Sequence, residues 1–427
     1  MNIVLDDNPK TTVPSEVTDY SSLLLCSFLH QPLFLKKNGF FLENIVFDKS
    51  IEKEIILEFK ELYWSNGELL VVEDFKNTLL YIIKSRSYLS NYLSFIEGVE
   101  EYLSDECILD DIGIYTKDKT LHIKSKVNSD YYKYVFSTIY FSPVKIENGN
   151  ICKDITCGKY CIKNNSYELI PNSYNRTSIN ENVNFIVNKH PCQNITGFLE
   201  GNIDLTATTL IYKEDKEKLL NFKEFNSKVS NLLLRVEMRK NIHFIKQELS
   251  EFLSEFIISD YYLSDDIKVI NNNISNEVSQ HTLMPQQCIK VLYADYYPNN
   301  IIADEIEKFL KEKHVEVAMV KGDFDYFLKE YNNPNYNIVI DIVSSITNSN
   351  IDYLIEKMKY IDDQYIDQYI DAINAWSDNS IKINKLYEFI NEYSSIIEIG
   401  YLKHNYLLKK KYEDKIFIDD NDNLIIN

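Results

Sequence analysis

Cysteine and histidine are the residues of this sequence whose types and spacing come closest to a metal-binding pattern. Cys152, Cys157 and Cys161 form a Cys-x4-Cys-x3-Cys pattern, and His190 and Cys192 lie downstream. Thiolates and imidazoles are the usual ligands of structural zinc and iron–sulfur centres. This combination of spacings matches no common zinc or iron–sulfur pattern, so we predict free thiols here, with no metal and no cofactor.

The chain also lacks the motifs that mark common enzyme active sites. Its 7 histidines are spread out, and it contains no Gly-x-Ser-x-Gly turn, no Walker loop and no Gly-x-Gly-x-x-Gly fingerprint. The acidic run at 419–422 resembles a calcium-binding loop, but it lacks the glycine at the turn and the closing glutamate. We therefore predict a protein that is not an enzyme, with a solvated tail at 419–422.

The charge balance excludes two classes of partner. Lysine and arginine number 45 against 65 aspartate and glutamate residues, which gives a net charge of −20. Nucleic acids and anionic membranes are bound by basic surfaces. We therefore expect neither of them as a partner.

The N-terminal and cysteine patterns indicate a compartment inside the cell. Residues 1–7 are acidic and lack the basic and apolar regions of a secretory leader. No run of about 18 apolar residues is present that could span a membrane. The 7 cysteines are scattered and odd in number, which predicts no disulfide framework and a reducing environment. From the sequence as written, we expect a cytoplasmic protein without a membrane span, or an extracytoplasmic one if a leader has been removed.

Hydrophobic periodicity predicts alternating strands and helices in the middle of the chain. A strand at 183–187 is followed by a helix at 192–200, which ends at Gly201, and by a strand at 203–211. The segment 243–258 has apolar residues on one helical face and predicts an amphipathic helix that packs on its own domain.

A second region of alternating elements follows the polar stretch 271–280, for which we predict a long loop. Apolar runs predict strands at 288–292, 315–320 and 336–343. Helices are predicted between and after these strands, the last of them from Ile351. The first two are marked by apolar residues at helical spacing: Ile302, Ile306, Phe309 and Leu310, then Phe324, Phe327 and Leu328. Repeated strand–helix–strand units predict a parallel sheet covered by helices.

The segment 54–82 carries a more specific pattern. A strand-like run ends in Trp64 and is followed by Asn66, Gly67, Asp74 and Phe75. We expect Gly67 to adopt a positive φ in a turn, Asp74 to cap a helix, and Trp64 to lie in the core. The spacing resembles a hallmark of the oligopeptide/dipeptide/nickel class of ABC-transporter solute-binding proteins (family 5). That hallmark is a strand ending in Trp, then Ser/Asp-Gly-x-Pro-x-Thr-Ala-x-Asp-Val/Phe.

Other landmarks of that family follow in the same order, and the resemblance extends over roughly 20–410. The segment 30–33 is similar to the family's aromatic-Glu-x-Leu, and 141–144 to its Phe-x-Pro-Val. The segment 156–160, with Gly158 and Tyr160, stands where the family has Gly-Thr-Gly-Pro-Tyr. The segment 199–204, with Gly201 and Asp204, is similar to the unit that precedes the crossing between the family's two lobes.

The resemblance implies an α/β protein with a two-lobed, periplasmic-binding-protein-like fold. This type II fold has an extra N-terminal subdomain and a ligand cleft between the lobes. On that basis, we expect lobe I at 1–212, with a subdomain at 30–145. Lobe II is then expected at 213–394, and 395–427 returns to lobe I.

The same resemblance identifies candidate ligand positions. Peptide-binding members place a second-lobe carboxylate against the peptide's α-ammonium, in a Trp-x-x-Asp-Tyr-like stretch. Here Val343 replaces the Trp, Ser344 follows it, and Ile346 replaces the Asp; in the first lobe, His30 precedes Gln31 where the family has Glu. A buried ammonium needs a compensating anion. The loss of both acids argues against the usual amine anchoring, so either the ligand differs or the cleft has lost its ligand.

Two functions remain open. In the first, a non-catalytic solute-binding protein closes two lobes on a peptide-like or other small ligand, and an ABC permease recognises the closed form. In the second, a degenerate cytosolic relative acts as a ligand sensor or protein-interaction scaffold in a specialised peptide or natural-product gene cluster, with a cytosolic protein as partner. The missing acids and the absence of a visible leader favour the second.

Overall fold

The computed structural model of the protein divides into two compact units. Unit 1 comprises Met1–Asn226, Ile346–Asn348 and Asn405–Asn427, and unit 2 comprises Ser227–Ser345 and Ser349–His404. The predicted lobe boundaries at 212 and 394 stay predictions. The structure describes residues 1–163, 167–175, 179–209, 219–239, 242, 245–260, 263, 267–269, 288–377 and 380–426.

The described residues form strands and helices throughout both units. The strands are β1 (Asn2–Leu5), β2 (Phe34–Lys37), β3 (Phe40–Glu43), β4 (Val46–Asp48), β5 (Glu54–Phe59), β6 (Ile114–Lys117), β7 (Thr120–Lys124), β8 (Ile146–Glu147), β9 (Asn150–Ile151), β10 (Tyr160–Ile162), β11 (Glu168–Pro171), β12 (Val183–Val187), β13 (Phe225–Met238), β14 (Ile267–Val269), β15 (Ile289–Ala294), β16 (Val317–Gly322), β17 (Ile338–Ser344), β18 (Ile396–Leu407), β19 (Ile416–Ile418) and β20 (Leu424–Ile426). The helices are α1 (Tyr20–Leu29), α2 (Val72–Ser85), α3 (Val99–Leu103), α4 (Tyr131–Phe136), α5 (Pro191–Leu199), α6 (Lys246–Ser259), α7 (Asn299–Glu312), α8 (Phe324–Glu330), α9 (Asn350–Lys357), α10 (Ile366–Ser377) and α11 (Ile383–Tyr393).

Unit 1 contains two four-stranded sheets. One has the order β1-β12-β11-β10, in which β1 and β12 run parallel, and the other has the order β4-β5-β7-β6. Helix α1 packs on the first sheet, and its Leu24, Leu25 and Phe28 share a core with the C-terminal hairpin β19–β20. Helix α2 packs on the second sheet through Phe75 and Leu79. Each sheet of unit 1 therefore has its own apolar core.

Unit 2 is built on one six-stranded sheet with the order β14-β18-β13-β17-β15-β16. Strand β15 is parallel to β16 and to β17, which confirms the predicted parallel strands. Strand β13 is antiparallel to β17. Helices α6 and α7 share a core with this sheet, while α9, α10 and α11 form a separate helical cluster around Leu354, Tyr369 and Leu386.

The predicted apolar faces of α6 and α7 are those that the fold buries. Ile302, Ile306, Phe309 and Leu310 all lie on the buried face of α7. In α6, Leu249 and Leu253 are buried and Phe252 and Phe256 are half-buried against the same core. This confirms the amphipathic helix predicted at 243–258 from residue 246 onward, whereas 243–244 and the predicted loop at 271–280 lie outside the described residues. None of the helices in the described part of the chain is both long and apolar enough to cross a membrane.

The strand predicted at 203–211 is wrong for 203–209, and 210–211 lie outside the described residues. Only Leu205 forms isolated bridges, to Ile3 and Leu408. Side-chain oxygens of this segment accept hydrogen bonds from backbone N–H groups that could otherwise pair with a strand. The Asp204 carboxylate accepts from the Asn2 backbone N–H at 2.8 Å, and the Thr206 hydroxyl accepts from the Leu407 N–H at 2.9 Å. Such side-chain bonds compete with regular pairing.

The solvated tail predicted at 419–422 is also wrong. Asp419, Asn421 and Asp422 are buried where the turn between β19 and β20 packs on unit 1. The Asp419 carboxylate accepts hydrogen bonds from the backbone N–H groups of Asn421 and Asn423, both at 2.9 Å. The Asn421 carboxamide donates to the Ser137 carbonyl at 3.1 Å. The burial of these residues and their hydrogen bonds make the acidic run an internal turn of the fold.

Candidate functional site

The parallel strands of unit 2 end together at one edge of the sheet. Strand β15 lies between β17 and β16, so the chain goes from β15 to β16 on one side and returns to β17 on the other. In open α/β sheets, ligands bind outside the carboxyl ends of the strands, where the strand order reverses in this way. The strand order of unit 2 therefore makes the crevice between the carboxyl ends of β15 and β17 its candidate ligand-binding edge.

Three partly exposed aromatic residues follow the carboxyl ends of β15 and β16. Tyr296, Phe324 and Tyr326 expose 38%, 41% and 40% of their surface. The rings of Tyr296 and Phe324 have centroids 6.4 Å apart. Asp323 caps α8 by accepting from the Tyr326 N–H at 2.8 Å, which fixes where Phe324 and Tyr326 begin the helix. Large aromatic surfaces at such an edge suit stacking and apolar contacts with a ligand.

These aromatic residues were not identified as site residues from the sequence. Phe324 and Leu328 were interpreted as the apolar face of a helix, yet only Phe327 of that set is buried. The available signal was position: Tyr296 and Phe324 each stand four residues after the end of a predicted parallel strand, and two residues after the observed ends of β15 and β16.

Val343 and Ser344 lie at the carboxyl end of β17, on the other side of the reversal. They pair with Leu233 and Leu232 of β13, and Ser344 is exposed. Ser344 therefore lies at the same edge as the aromatic residues, and its hydroxyl donates to the Ser345 carbonyl at 3.5 Å. The structure thus brings two of the five predicted ligand positions to the ligand-binding edge of unit 2.

A buried cation lies on β13 near this edge. Arg235 is 1% exposed; its guanidinium bonds to the Asp341 and Glu356 carboxylates at 3.3 and 3.0 Å and lies over the Tyr360 ring. Burial alone would raise the pKa of Glu356, but the charges of Lys357 and Arg235 hold it below its usual value. Because Arg235 is balanced by these carboxylates, it joins β13 to β17 and does not offer an unbalanced charge to a ligand.

His30 and Gln31 lie in unit 1, where α1 ends. His30 is buried, and its Nε2–H donates to the Thr12 carbonyl at 3.1 Å, while Nδ1 faces the Pro143 carbonyl at 3.4 Å. Burial lowers the pKa of His30 to about 4, so the imidazole is neutral at physiological pH. The Gln31 carboxamide donates to the Cys157 carbonyl at 3.0 Å. Both residues line a cavity of about 130 Å³.

The neutral state of His30 makes the stability of the protein depend on pH. The unfolded chain takes up a proton at His30 near pH 6.5, whereas the folded chain does so only near pH 4. Stability is therefore fully present above pH 6.5 and is lost as the pH falls, by about 3 kcal/mol over this window. Urea unfolding between pH 7 and 4 should show a smaller loss for His30→Gln than for the wild type. Parallel curves for the two proteins would contradict a buried neutral imidazole.

Ile346 belongs to unit 1 and packs against the core around Phe75 and Phe136. The segment 346–348 is fixed there by the Lys36 ammonium, which donates to the Asn348 carbonyl at 3.0 Å. The Asn348 carboxamide donates in turn to the Asp420 carbonyl at 3.0 Å. The five predicted ligand positions are thus divided, with Val343 and Ser344 in unit 2 and the other three in unit 1.

The family-like motif residues have structural roles. Trp64 is fully buried, and its indole N–H donates to Asp74 at 3.0 Å. The same carboxylate accepts from the Val71 N–H at 3.0 Å, which caps α2 as predicted. Gly67 has φ +88°, as predicted for the turn, and a Cβ there would meet the Tyr174 ring at 2.8 Å. Asn66 accepts from the Glu68 N–H at 3.1 Å in that turn.

The remaining motif residues also position the backbone. A Cβ on Gly158 would overlap the main chain of Phe28 and Leu29. The Tyr160 hydroxyl donates to the Ile179 carbonyl at 2.9 Å. Gly201 has φ +85°, and Asp204 forms an ion pair with Lys409 at 3.3 Å.

The cysteines remain separate thiols in the structure. Cys157 is buried and directs its thiol at the Pro143 carbonyl, 3.6 Å away, while Cys161 faces the Ile170 carbonyl and Cys192 is exposed. Within the part of the chain that is described, no three His, Cys, Asp or Glu side chains are arranged to hold a metal ion.

Comparisons with known proteins rest on structure. No protein-family model and no curated protein matches the sequence. The Escherichia coli murein tripeptide binding protein MppA matches 100% of this chain and 98% of its own, with TM-score 0.75 at 15% identity. The substrate-binding domain of an oligopeptide ABC transporter from Bacillus anthracis covers the same shares, with TM-score 0.77 at 14% identity. The chain has the fold of the oligopeptide-binding proteins.

A third solved structure also matches this chain over its whole length. Haemophilus influenzae OppA, in complex with the peptide RPPGFSPFR, matches 100% of this chain and 98% of its own, with TM-score 0.75 at 14% identity. The oligopeptide-binding fold therefore accounts for the whole chain, which confirms the α/β fold class expected from the motifs.

Proposed function

We propose that this protein binds a peptide-like ligand without changing it chemically. The observation that carries the proposal is the group of partly exposed aromatic residues, Tyr296, Phe324 and Tyr326, beside Ser344 at the strand-order reversal of unit 2. An edge of this kind, in a chain with the oligopeptide-binding fold, favours a ligand with apolar side chains and an exposed backbone. The names of the structural neighbours, a murein tripeptide binding protein and an OppA–peptide complex, support this ligand class.

The proposed binding mode differs from amine anchoring. Gln31 and Ile346 are neutral where the family resemblance implies acids, and Arg235 is already balanced by Asp341 and Glu356. An α-ammonium at these positions would lack a counter-ion, which is costly in a buried site. We propose that affinity comes from apolar and backbone contacts. Ligand contact with both units would then favour a closed state by differential affinity, for recognition by an ABC permease.

The proposal is tested by the stability gain that a ligand confers. Protein unfolded and refolded free of ligand is heated with a pool of random tetrapeptides, and we expect a rise in Tm of about 5 °C at saturating peptide. Phe324→Ala should weaken the apparent affinity about tenfold or more, because the ring's apolar contact is lost. Phe47→Ala, which truncates an exposed aromatic residue of unit 1, is the control and should bind as the wild type does. No rise in Tm for correctly refolded wild type would contradict peptide binding.

A second candidate function is a sensor or scaffold that binds a protein partner. The observation that favours it is Ile346, which packs in the core of unit 1 where the resemblance implies a ligand-binding carboxylate. Under this alternative the same experiment gives no shift with peptides, and affinity purification from the source organism recovers one stoichiometric protein.

A further inference from the structure

The cavity at the end of α1 is small and partly enclosed. Its volume of about 130 Å³ is bounded by His30, Gln31, Asn44 and Lys159, together with Ile425 and Ile426 of the C-terminal strand β20. The site proposed above at the edge of unit 2 does not use any of these residues. A cavity of this size holds a group of a few heavy atoms, such as a carboxylate with its neighbouring amide.

Of the described residues that line this cavity, Lys159 is the one whose side chain carries a charge. Its ammonium donates to the Ile426 carbonyl at 2.6 Å, which uses one of its three N–H groups. Burial lowers the pKa of Lys159. Within the described residues, no carboxylate forms an ion pair with Lys159. A partly buried ammonium that bonds only to a backbone carbonyl lacks the counter-ion that would offset its desolvation.

The other polar groups of the cavity are neutral. His30 carries no charge at physiological pH, because burial holds its pKa near 4. Gln31 donates one N–H to Cys157, and Asn44 donates one N–H to the Pro32 carbonyl at 2.8 Å. Each carboxamide keeps a second N–H and an oxygen for other partners. The cavity thus offers a cation and amide groups, and its described lining contains no anion.

The residue type at position 31 supports the conclusion that the described lining of the cavity contains a cation and no anion. The family resemblance implies a glutamate at this position, and a carboxylate in the same small cavity would neutralise Lys159. With glutamine at 31, the charge of Lys159 remains available.

We propose that this cavity binds the free carboxylate of a peptide-like ligand, with Lys159 as its counter-ion. The inference rests on the proposed peptide-binding function and specifies which end of the ligand is anchored. Within the described residues, the ammonium makes one hydrogen bond and keeps two N–H groups for a ligand. Charge-assisted bonds to a carboxylate are about twice as strong as neutral ones. The ligand is then held by its carboxyl end in unit 1, and its amino end needs no acidic partner.

The test compares the end groups of one peptide pool. Random tetrapeptides are prepared with free ends, with N-acetylated amino ends and with C-amidated carboxyl ends, and apparent Kd values are measured by calorimetry. For wild type, amidation should weaken binding about tenfold or more, whereas acetylation should change it by less than about threefold. Lys159→Met should remove the preference for a free carboxylate, and Lys159→Arg should retain it. Lys163→Met removes an exposed lysine of the same region that pairs with Glu168, so it should behave as wild type does.

The outcomes separate this inference from the function on which it rests. Equal affinity for free and amidated pools would overturn carboxylate anchoring while leaving peptide binding intact, and so would an unchanged preference in folded Lys159→Met. Binding of none of the three pools to folded wild type would overturn peptide binding and carboxylate anchoring together. Circular dichroism and Tm of each variant establish that it is folded.

Discussion

Replacing Arg235 with alanine should lower the free energy of unfolding by about 3–5 kcal/mol. The guanidinium is almost completely buried between β13 and β17, where Arg235 stands opposite Asp341 in the strand register. It bonds to Asp341, to Glu356 and to the Tyr331 hydroxyl at 3.2 Å. Its removal takes the guanidinium away from the poorly solvated Asp341 carboxylate, which costs more than the lost bonds alone, while Glu356 keeps Lys357 as a cationic neighbour.

Arg86→Ala provides a matched control for this prediction. Arg86 also pairs with an aspartate, Asp105, but the two side chains are 43% and 78% exposed. Water and salt screen such a pair, so its loss should cost no more than about 1 kcal/mol. Urea unfolding of both variants gives the comparison. Equal costs for Arg235→Ala and Arg86→Ala would contradict the buried network that joins β13 to β17.

Asp419→Ala should destabilise the protein by about 3 kcal/mol and release the C-terminal hairpin. The carboxylate is fully buried and accepts from two backbone N–H groups and from the Asn423 carboxamide at 3.0 Å. Each buried donor left without an acceptor costs about 1–3 kcal/mol, and solvent entry at the turn recovers part of the sum. Hydrogen exchange should therefore accelerate in β19 and β20.

Asp414→Ala is the control for the hairpin, because Asp414 is an exposed aspartate in the turn that precedes β19. A surface substitution of this kind should change stability by no more than about 0.5 kcal/mol. Unchanged exchange in β19–β20 of Asp419→Ala would show that the turn is held by other contacts, and would contradict the role given to this carboxylate.

The elements that could be predicted from the sequence are those fixed by local signals. The apolar face of α7 repeats at helical spacing, so Ile302, Ile306 and Phe309 identify both the helix and its buried side. Gly67 and Asp74 perform roles that depend on a few neighbouring residues, a positive φ and a helix cap. Each of these features can be predicted from a short stretch of sequence, because the residues that determine it are close together in the chain.

The residues that could not be predicted depend on partners far along the chain. From its sequence, the run at 419–422 resembles a solvated tail. In the structure, the Asn421 carboxamide donates to the carbonyl of Ser137, which lies 284 residues earlier in the chain. Leu205 looks like part of a strand, but the side chains of its neighbours Asp204 and Thr206 hydrogen-bond to Asn2 and Leu407. Long-range contacts of this kind override local pattern, and one sequence alone does not reveal them.

The positions of the candidate site residues depend on both kinds of signal. Val343 ends the strand predicted at 336–343 and Ser344 comes next, so a local pattern places them at the carboxyl end of β17; their contact with a ligand stays a prediction. Phe324 is of a residue type that usually lies in the core, and only the strand order explains why it remains exposed. Lys159 gave no signal in the sequence, because its importance depends on a cavity formed with β20.

Native mass spectrometry of the protein purified from its source organism tests peptide binding most directly. We predict a folded species heavier than the chain by the mass of a small ligand, which dissociates on activation and fragments as a peptide-like molecule. Phe324→Ala, purified in parallel, should carry less of it, and Phe47→Ala should carry as much as wild type. A folded wild-type protein that matches the bare chain mass, and remains at that mass after incubation with the tetrapeptide pool, would contradict the proposed function.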